Sequence, residues 1–169
     1  PQHRFDALDA AGPEILARKN ERGDLLAREE GKTLPEAIGE VVRAGNIFKF
    51  FAGEALRTGG DIVPSVRPGV GVEVTREALG VVGLVTPWNF PIAIPAWKIA
   101  PALAFGNTVV LKPAELVPGS AWALAEILHR NGLPAGVLNL VMGRGAEVGQ
   151  VLLDDRRVDA ISFTGSVAT

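Results

Sequence analysis

The sequence contains no cysteine. That excludes a disulfide framework, a thiolate metal site and a cysteine nucleophile within these residues, and no metal is expected. An excess of charge of one sign is also lacking: 17 Lys and Arg against 19 Asp and Glu leave a formal net charge of -2. Such a balance gives no basic surface on which a phosphate backbone could condense, so nucleic acid is not an expected partner. Apolar runs of the roughly 18 residues that a membrane span requires are absent. Pro, Gly, Asn or Lys interrupts each apolar stretch of the second half, and a membrane partner is not expected. The opening Pro1-Gln2-His3-Arg4 lacks the charged-then-apolar order of a secretory leader. What remains is an ordinary globular composition, 47% hydrophobic and 21% charged, long enough to bury one sizeable core.

Organisation follows from periodicity. From Phe5 to Glu30, Leu8, Ile15, Leu16, Leu25 and Leu26 punctuate a charged pattern closed by Gly31, which predicts a helix ended by a left-handed residue, bent or broken at Gly12-Pro13. Thr33-x-x-Glu36 forms a capping box. The helix it opens carries Ile38, Val41, Val42, Phe48, Phe51, Ala52 and Ala55 on a helical repeat and is expected to end near Gly59-Gly60. Between Asp61 and Leu79 the period becomes two, with Val70, Val72 and Val74 alternating after Arg67-Pro68-Gly69, and a β-hairpin is predicted. From Gly80 onward short β-branched runs, Val81 to Thr86, Thr108 to Lys112, Val137 to Met142 and Asp159 to Phe163, are separated by helical stretches over Ile92 to Ala104, Pro118 to Asn131 and Ala146 to Leu152. Strands alternating with helices predict an α/β fold with a parallel sheet and right-handed crossovers. Ligands of such sheets bind beyond the carboxyl ends of the strands. The loops expected there are Thr86 to Pro91, Lys112 to Glu115, Gly143 to Gly149 and Thr164 onward.

Each loop offers chemistry alongside a plainer explanation. Phe163-Thr164-Gly165-Ser166 supplies a glycine, hydroxyls and backbone amides suited to a phosphate, yet a tight turn needs the same residues. Gly143-Arg144-Gly145 with Gly149 follows a strand without G-x-G-x-x-G spacing or a Walker lysine. Lys112 and Glu115 suit ribose hydroxyls, or form a solvated loop ion pair. In Thr86-Pro87-Trp88-Asn89-Phe90-Pro91, two prolines and a tryptophan hold an asparagine whose amide could bond a developing oxyanion; a rigid turn filled by core aromatics reads equally well.

Taken in order, Gly80-Val81-Val82-Gly83 running into Thr86-Pro87-Trp88-Asn89-Phe90-Pro91, then Lys112-Pro113-Ala114-Glu115, Gly143-Arg144-Gly145 and Phe163-Thr164-Gly165-Ser166, resemble the aldehyde dehydrogenase superfamily from about Arg4 to the end. The resemblance implies a Rossmann-like cofactor domain and a catalytic role for Asn89 as oxyanion donor. It also implies ribose contacts from Lys112 and Glu115, a diphosphate contact from Ser166, and further dinucleotide contacts from Thr86, Pro87, Trp88, Gly145, Gly149, Phe163, Thr164 and Gly165. Phe90, Ile94 and Trp97 share one helix face and would line an aldehyde tunnel or pack the core. The implied division is a helical part over 1–60, a hairpin of an oligomerisation arm over 61–79 and a dinucleotide-binding core over 80–169. The family's thiolate and general-base glutamate would lie beyond Thr169, so the chain is expected to be cut at both ends and to lack covalent chemistry.

The implied cofactor is NAD, with NADP possible, and the implied substrate is a small aldehyde. A cytoplasmic homodimer or homotetramer is expected of the whole enzyme. Arg28-Glu29-Glu30-Gly31-Lys32-Thr33-Leu34, Phe48-Lys49-Phe50-Phe51-Ala52-Gly53-Glu54 and Pro64-Ser65-Val66-Arg67-Pro68-Gly69 resemble members that oxidise 2-oxoglutarate semialdehyde. Two alternatives stay open: a dinucleotide-binding module without catalysis, and an NADPH-dependent reductase of acyl phosphates, against which Glu115 argues because its carboxylate would repel a 2'-phosphate.

Overall fold

The computed structural model describes residues 1–167. Helix α1 (Gln2–Ala17) runs through Gly12-Pro13 without breaking, and the chain bends at Arg18 instead, before α2 (Lys19–Glu30). The proline is tolerated because the carbonyl it leaves without an amide partner belongs to Asp9, which is exposed to water. Gly12 is required for another reason. A Cβ there would meet Lys49 Cγ at 2.7 Å and the Gly45 carbonyl at 3.1 Å, so the two glycines let α1 lie close against α3 (Leu34–Ala55). Gly31 closes α2 with φ 91°, and α3 starts from the expected box, where the Thr33 amide and hydroxyl donate to Glu36 Oε2 at 3.3 and 2.6 Å. Helix α3 stops at Ala55, short of Gly59.

Strands β1 (Asp61–Pro64) and β2 (Gly71–Val74) pair antiparallel as an exposed hairpin, and residues 75–79 carry no strand. There follow β3 (Val81–Val85), α4 (Ala93–Ala104), β4 (Thr108–Lys112), α5 (Pro118–Arg130) and β5 (Leu138–Leu140). A π-helical turn at Gly145–Gly149 then leads into α6 (Gln150–Asp154), and β6 (Ala160–Phe163) completes the described elements. The expected helix over 146–152 is therefore a π turn joined to a short α-helix.

β3 to β6 form one parallel sheet in the order β5-β4-β3-β6. The chain works outward from β3 to β5 and then returns to the other side of β3, so the order reverses beside the first strand. In sheets of this kind ligands bind at such a reversal, beyond the carboxyl ends of the strands. Val82 and Leu84 of β3 with Val109 and Leu111 of β4 face a core closed by Leu8 and Ile15 of α1, Val41 and Phe48 of α3, Ile99 of α4 and Leu124 of α5. Two carboxylates from the N-terminal helices fix where the sheet-crossing helices begin. Glu29 accepts from the Gly119 and Ser120 amides, both at 2.8 Å, and Glu40 from the Ile92 and Ala93 amides, both at 3.0 Å. Each neutralises the partial positive charge of a helix N-terminus. No described helix is long and apolar enough to cross a membrane.

Candidate functional site

Register gathers the four loops at one edge of the sheet. Val85, the last residue of β3, lies between Lys112 of β4 and Phe163 of β6. Just past it the Thr86 amide donates to the Lys112 carbonyl at 3.2 Å, and the Thr164 amide donates to the Val85 carbonyl at 3.0 Å. Thr86 is buried and its hydroxyl has no hydrogen-bond partner among the described residues. Such a group costs on the order of 1–3 kcal/mol unless something completes it. Beyond it Trp88, Asn89 and Phe90 are exposed, and the Asn89 side-chain amide makes no hydrogen bond among the described residues.

The backbone of that same asparagine is held firmly. Lys32 Nζ donates to the Asn89 carbonyl at 3.1 Å, sits 4.3 Å from the centre of the Phe90 ring, and pairs with Glu40 at 2.6 Å. Glu40 is the carboxylate that also caps the start of α4. Apart from the Lys32–Glu40 pair, these contacts join residues more than fifty positions apart, and nothing local in the sequence announces them. Lys32 and Glu40 were therefore not among the expected site residues.

At the end of β4, Lys112 is buried, and its ammonium donates to the Pro113 carbonyl at 2.8 Å. Glu115, half exposed, stands 3.9 Å away, within ion-pair range but too far for a hydrogen bond. Burial lowers the Lys112 pKa, and Glu115 pulls it partly back up. The ammonium keeps donors to spare next to an acceptor-only carboxylate, a combination that suits vicinal hydroxyls. In the third loop Gly149 has an ordinary φ of -62°, Gly145 is not among the left-handed glycines, and a Cβ on either would meet nothing within 4 Å. Neither conformation nor crowding within the chain demands glycine there, whereas close approach of a ligand to the loop would. Gly165 differs, since a Cβ would lie 2.5 Å from the Phe163 ring. Phe163, Thr164, Gly165 and Ser166 are all exposed. An orphaned threonine hydroxyl, a lysine–carboxylate pair with free valences and bare glycines fit a bound dinucleotide.

Of the residues expected on one helix face, Ile94 is buried while Phe90 and Trp97 are exposed. Lys98, the next residue, escaped the sequence reading. Its ammonium reaches Ser162 of β6 at 2.6 Å, and burial lowers its pKa. Beside the Asn89 loop, Lys32, Glu36, Gly39, Glu40, Arg43 and Phe90 line a cleft of about 470 Å³. Glu36 is occupied by Thr33 and Glu40 by Lys32, whereas the exposed Arg43 has no ion-pair partner among the described residues.

A parallel sheet whose strand order reverses beside β3, with glycine, lysine–carboxylate and hydroxyl loops at its carboxyl edge, defines an α/β protein of the Rossmann-like, dinucleotide-binding type. Comparison with known proteins narrows this: residues 1–169 match the aldehyde dehydrogenase family, and the chain belongs to it. It is similar to the alpha-ketoglutarate semialdehyde dehydrogenase of Haloferax volcanii, with 49% identity over 94% of this chain and 33% of that protein. It is similar too to the 2,5-dioxopentanoate dehydrogenase of Saccharolobus solfataricus, with 49% identity over 96% and 34%. Among solved structures, betaine aldehyde dehydrogenase of Staphylococcus aureus in complex with NAD+ superposes with a TM-score of 0.95 at 36% identity, covering 99% of this chain and 34% of that one. The chain thus spans about a third of the length of the relatives it matches.

Proposed function

We propose that the protein containing this chain oxidises an aldehyde to a carboxylic acid using NAD, and that these residues bind the cofactor and supply the oxyanion donor. Bound NAD supplies the hydride acceptor. Lys112 and Glu115 hold the adenosine ribose by donating to and accepting from its hydroxyls. Gly145 and Gly149 let the cofactor lie against the third loop. Thr86, Pro87 and Trp88 on one side, and Phe163, Thr164, Gly165 and Ser166 on the other, flank it at the reversal of the sheet, with Ser166 at the diphosphate. Asn89 donates to the aldehyde oxygen as it gains charge. The attacking thiolate comes from outside these cysteine-free residues. Residues 1–60 buttress the site, 61–79 form the oligomerisation arm and 80–169 the dinucleotide-binding core.

A semialdehyde bearing a carboxylate suits the cleft next to Asn89, because Arg43 there has no ion-pair partner among the described residues and Phe90 offers an apolar wall. The names of the similar dehydrogenases agree with that class. Glu115 favours NAD over NADP, since a carboxylate beside the ribose repels a 2'-phosphate.

The observation that carries this reading is the Asn89 amide, exposed in the loop after β3 and without a hydrogen bond among the described residues, while its own backbone is pinned. A bond made only in the transition state lowers kcat and kcat/KM together. In the full-length enzyme Asn89→Ala should reduce both by on the order of a hundredfold or more and leave NAD affinity nearly intact. A drop in melting temperature with unchanged kcat per folded molecule would make the turn purely structural and remove the assignment.

A further inference from the structure

We infer that Lys32 and Glu40 form a charged strap that positions Asn89 for catalysis; the inference rests on the oxyanion role just proposed for that residue. Glu40 is 4% exposed, and both its oxygens are engaged. Oε1 accepts the first amides of α4, and Oε2 accepts from Lys32. Capping α4 requires only the first oxygen. The second is used to hold an ammonium against the very peptide that carries the oxyanion donor.

The Lys32 ammonium is shared among three groups. It bonds Glu40 Oε2 at 2.6 Å and the Asn89 carbonyl at 3.1 Å, and Glu30 Oε2 stands 3.4 Å away, an ion-pair partner that makes no hydrogen bond. Two carboxylates thus hold the ammonium centred between them in a largely buried position. From there the ammonium fixes the peptide in two ways, through the carbonyl of Asn89 and over the face of the adjacent Phe90 ring. The loop between β3 and α4 is therefore clamped from α3 at its α4 end and from the α2–α3 junction at its tip, leaving the Asn89 side chain exposed and without a hydrogen bond among the described residues. An oxyanion donor gains most of its effect from being held in place before charge develops. An exposed loop of this length would otherwise supply that order poorly.

The test uses the full-length enzyme and a coupled set of variants. Lys32→Met combined with Glu40→Gln removes both charges of the strap at once, so Glu40 is not left as a buried unpaired anion, although Glu30 loses its ion-pair partner, and the glutamine oxygen can still accept from the α4 amides. This double variant should lower kcat by about tenfold to a hundredfold, the range that a misplacement near 1 Å produces, with KM for aldehyde and Kd for NAD changed by less than about twofold. Introduced into Asn89→Ala, the same double change should cost no more than about twofold in kcat, because the group it positions is gone. A folded double variant with unaltered kcat overturns the strap, as does an equal loss in the presence and absence of Asn89. Should the double variant fail to fold, Glu40→Asp keeps the charge and shortens its reach, and a normal kcat there overturns the inference. If Asn89→Ala itself leaves kcat unchanged, the oxyanion assignment has failed, an outcome distinct from failure of the strap alone.

Discussion

Two pairs of strands in this chain are made of nearly the same residues and meet opposite fates. The hairpin strands read Asp61-Ile62-Val63-Pro64 and Gly71-Val72-Glu73-Val74; β3 and β4 read Val81-Val82-Gly83-Leu84-Val85 and Thr108-Val109-Val110-Leu111-Lys112. Ile62 is 87% exposed and Leu111 is fully buried. β-Branched content makes both pairs extended, but the cover decides burial, and only the second pair lies under α4 and the N-terminal helices. Ile62, Val63, Val66, Val70 and Val72 are all exposed, which supports the role proposed for the hairpin as an arm against another subunit.

The largest effect should separate the two pairs outright. Leu111→Ala deletes buried methyl groups and leaves a cavity, so it should destabilise the protein by about 3 kcal/mol in chemical denaturation and leave the assembly state alone. Ile62→Ala should cost under about 0.5 kcal/mol in the dissociated protein, and its effect should appear as a shift toward smaller species in sedimentation. Equal losses of stability from the two variants, measured on the dissociated protein, would break the comparison.

The sequence made the buried pair easier to locate than to explain. Strand runs, the Gly31 stop, the Thr33–Glu36 box and the four loops were legible because each depends on neighbours a few residues apart. Helix α1 does not break at Pro13, because local rules judge a proline without regard to where the carbonyl it leaves unpaired will lie, and here that carbonyl belongs to the exposed Asp9. Lys32, Glu40 and Lys98 were missed for the opposite reason. Their partners, Asn89, Ile92 and Ser162, lie on other elements, and a charged residue on a helix looks solvated until the fold places something beside it. The Gly145–Gly149 segment carried a helix signal, and the structure makes it a π turn, where the loop is left uncovered.

A smaller effect probes the carboxyl end of β4, where the buried strand emerges into the site. Glu115 is half exposed, so its charge is partly screened, and its interaction with a 2'-phosphate should be worth about 1 kcal/mol. Glu115→Ser should therefore shift the ratio of kcat/KM for NAD over NADP by roughly fivefold toward NADP. An unchanged ratio would remove Glu115 from the ribose site, while a loss with both cofactors alike would give it a general structural role.

The smallest effect tests whether burial at that strand end is felt by Lys112 itself. Its pKa is lowered, chiefly because burial disfavours the ammonium and only partly restored by Glu115. An unfolded lysine titrates near 10.4, so just below that pH the unfolded chain binds more protons than the native one. Stability contributed by this group therefore rises as pH climbs from the lowered native value toward about 10.4, the reverse of a lysine that gains a strong partner. Denaturation of the full-length enzyme from pH 8 to 10.5 should show the wild type gaining relative to Lys112→Met across that window. Saturating NAD should flatten the gain, because ribose hydroxyls that accept from the ammonium favour its charged form and bring its pKa back up. Parallel stability curves without cofactor would mean that Lys112 is solvated when folded; a gain that NAD leaves untouched would place the ribose elsewhere.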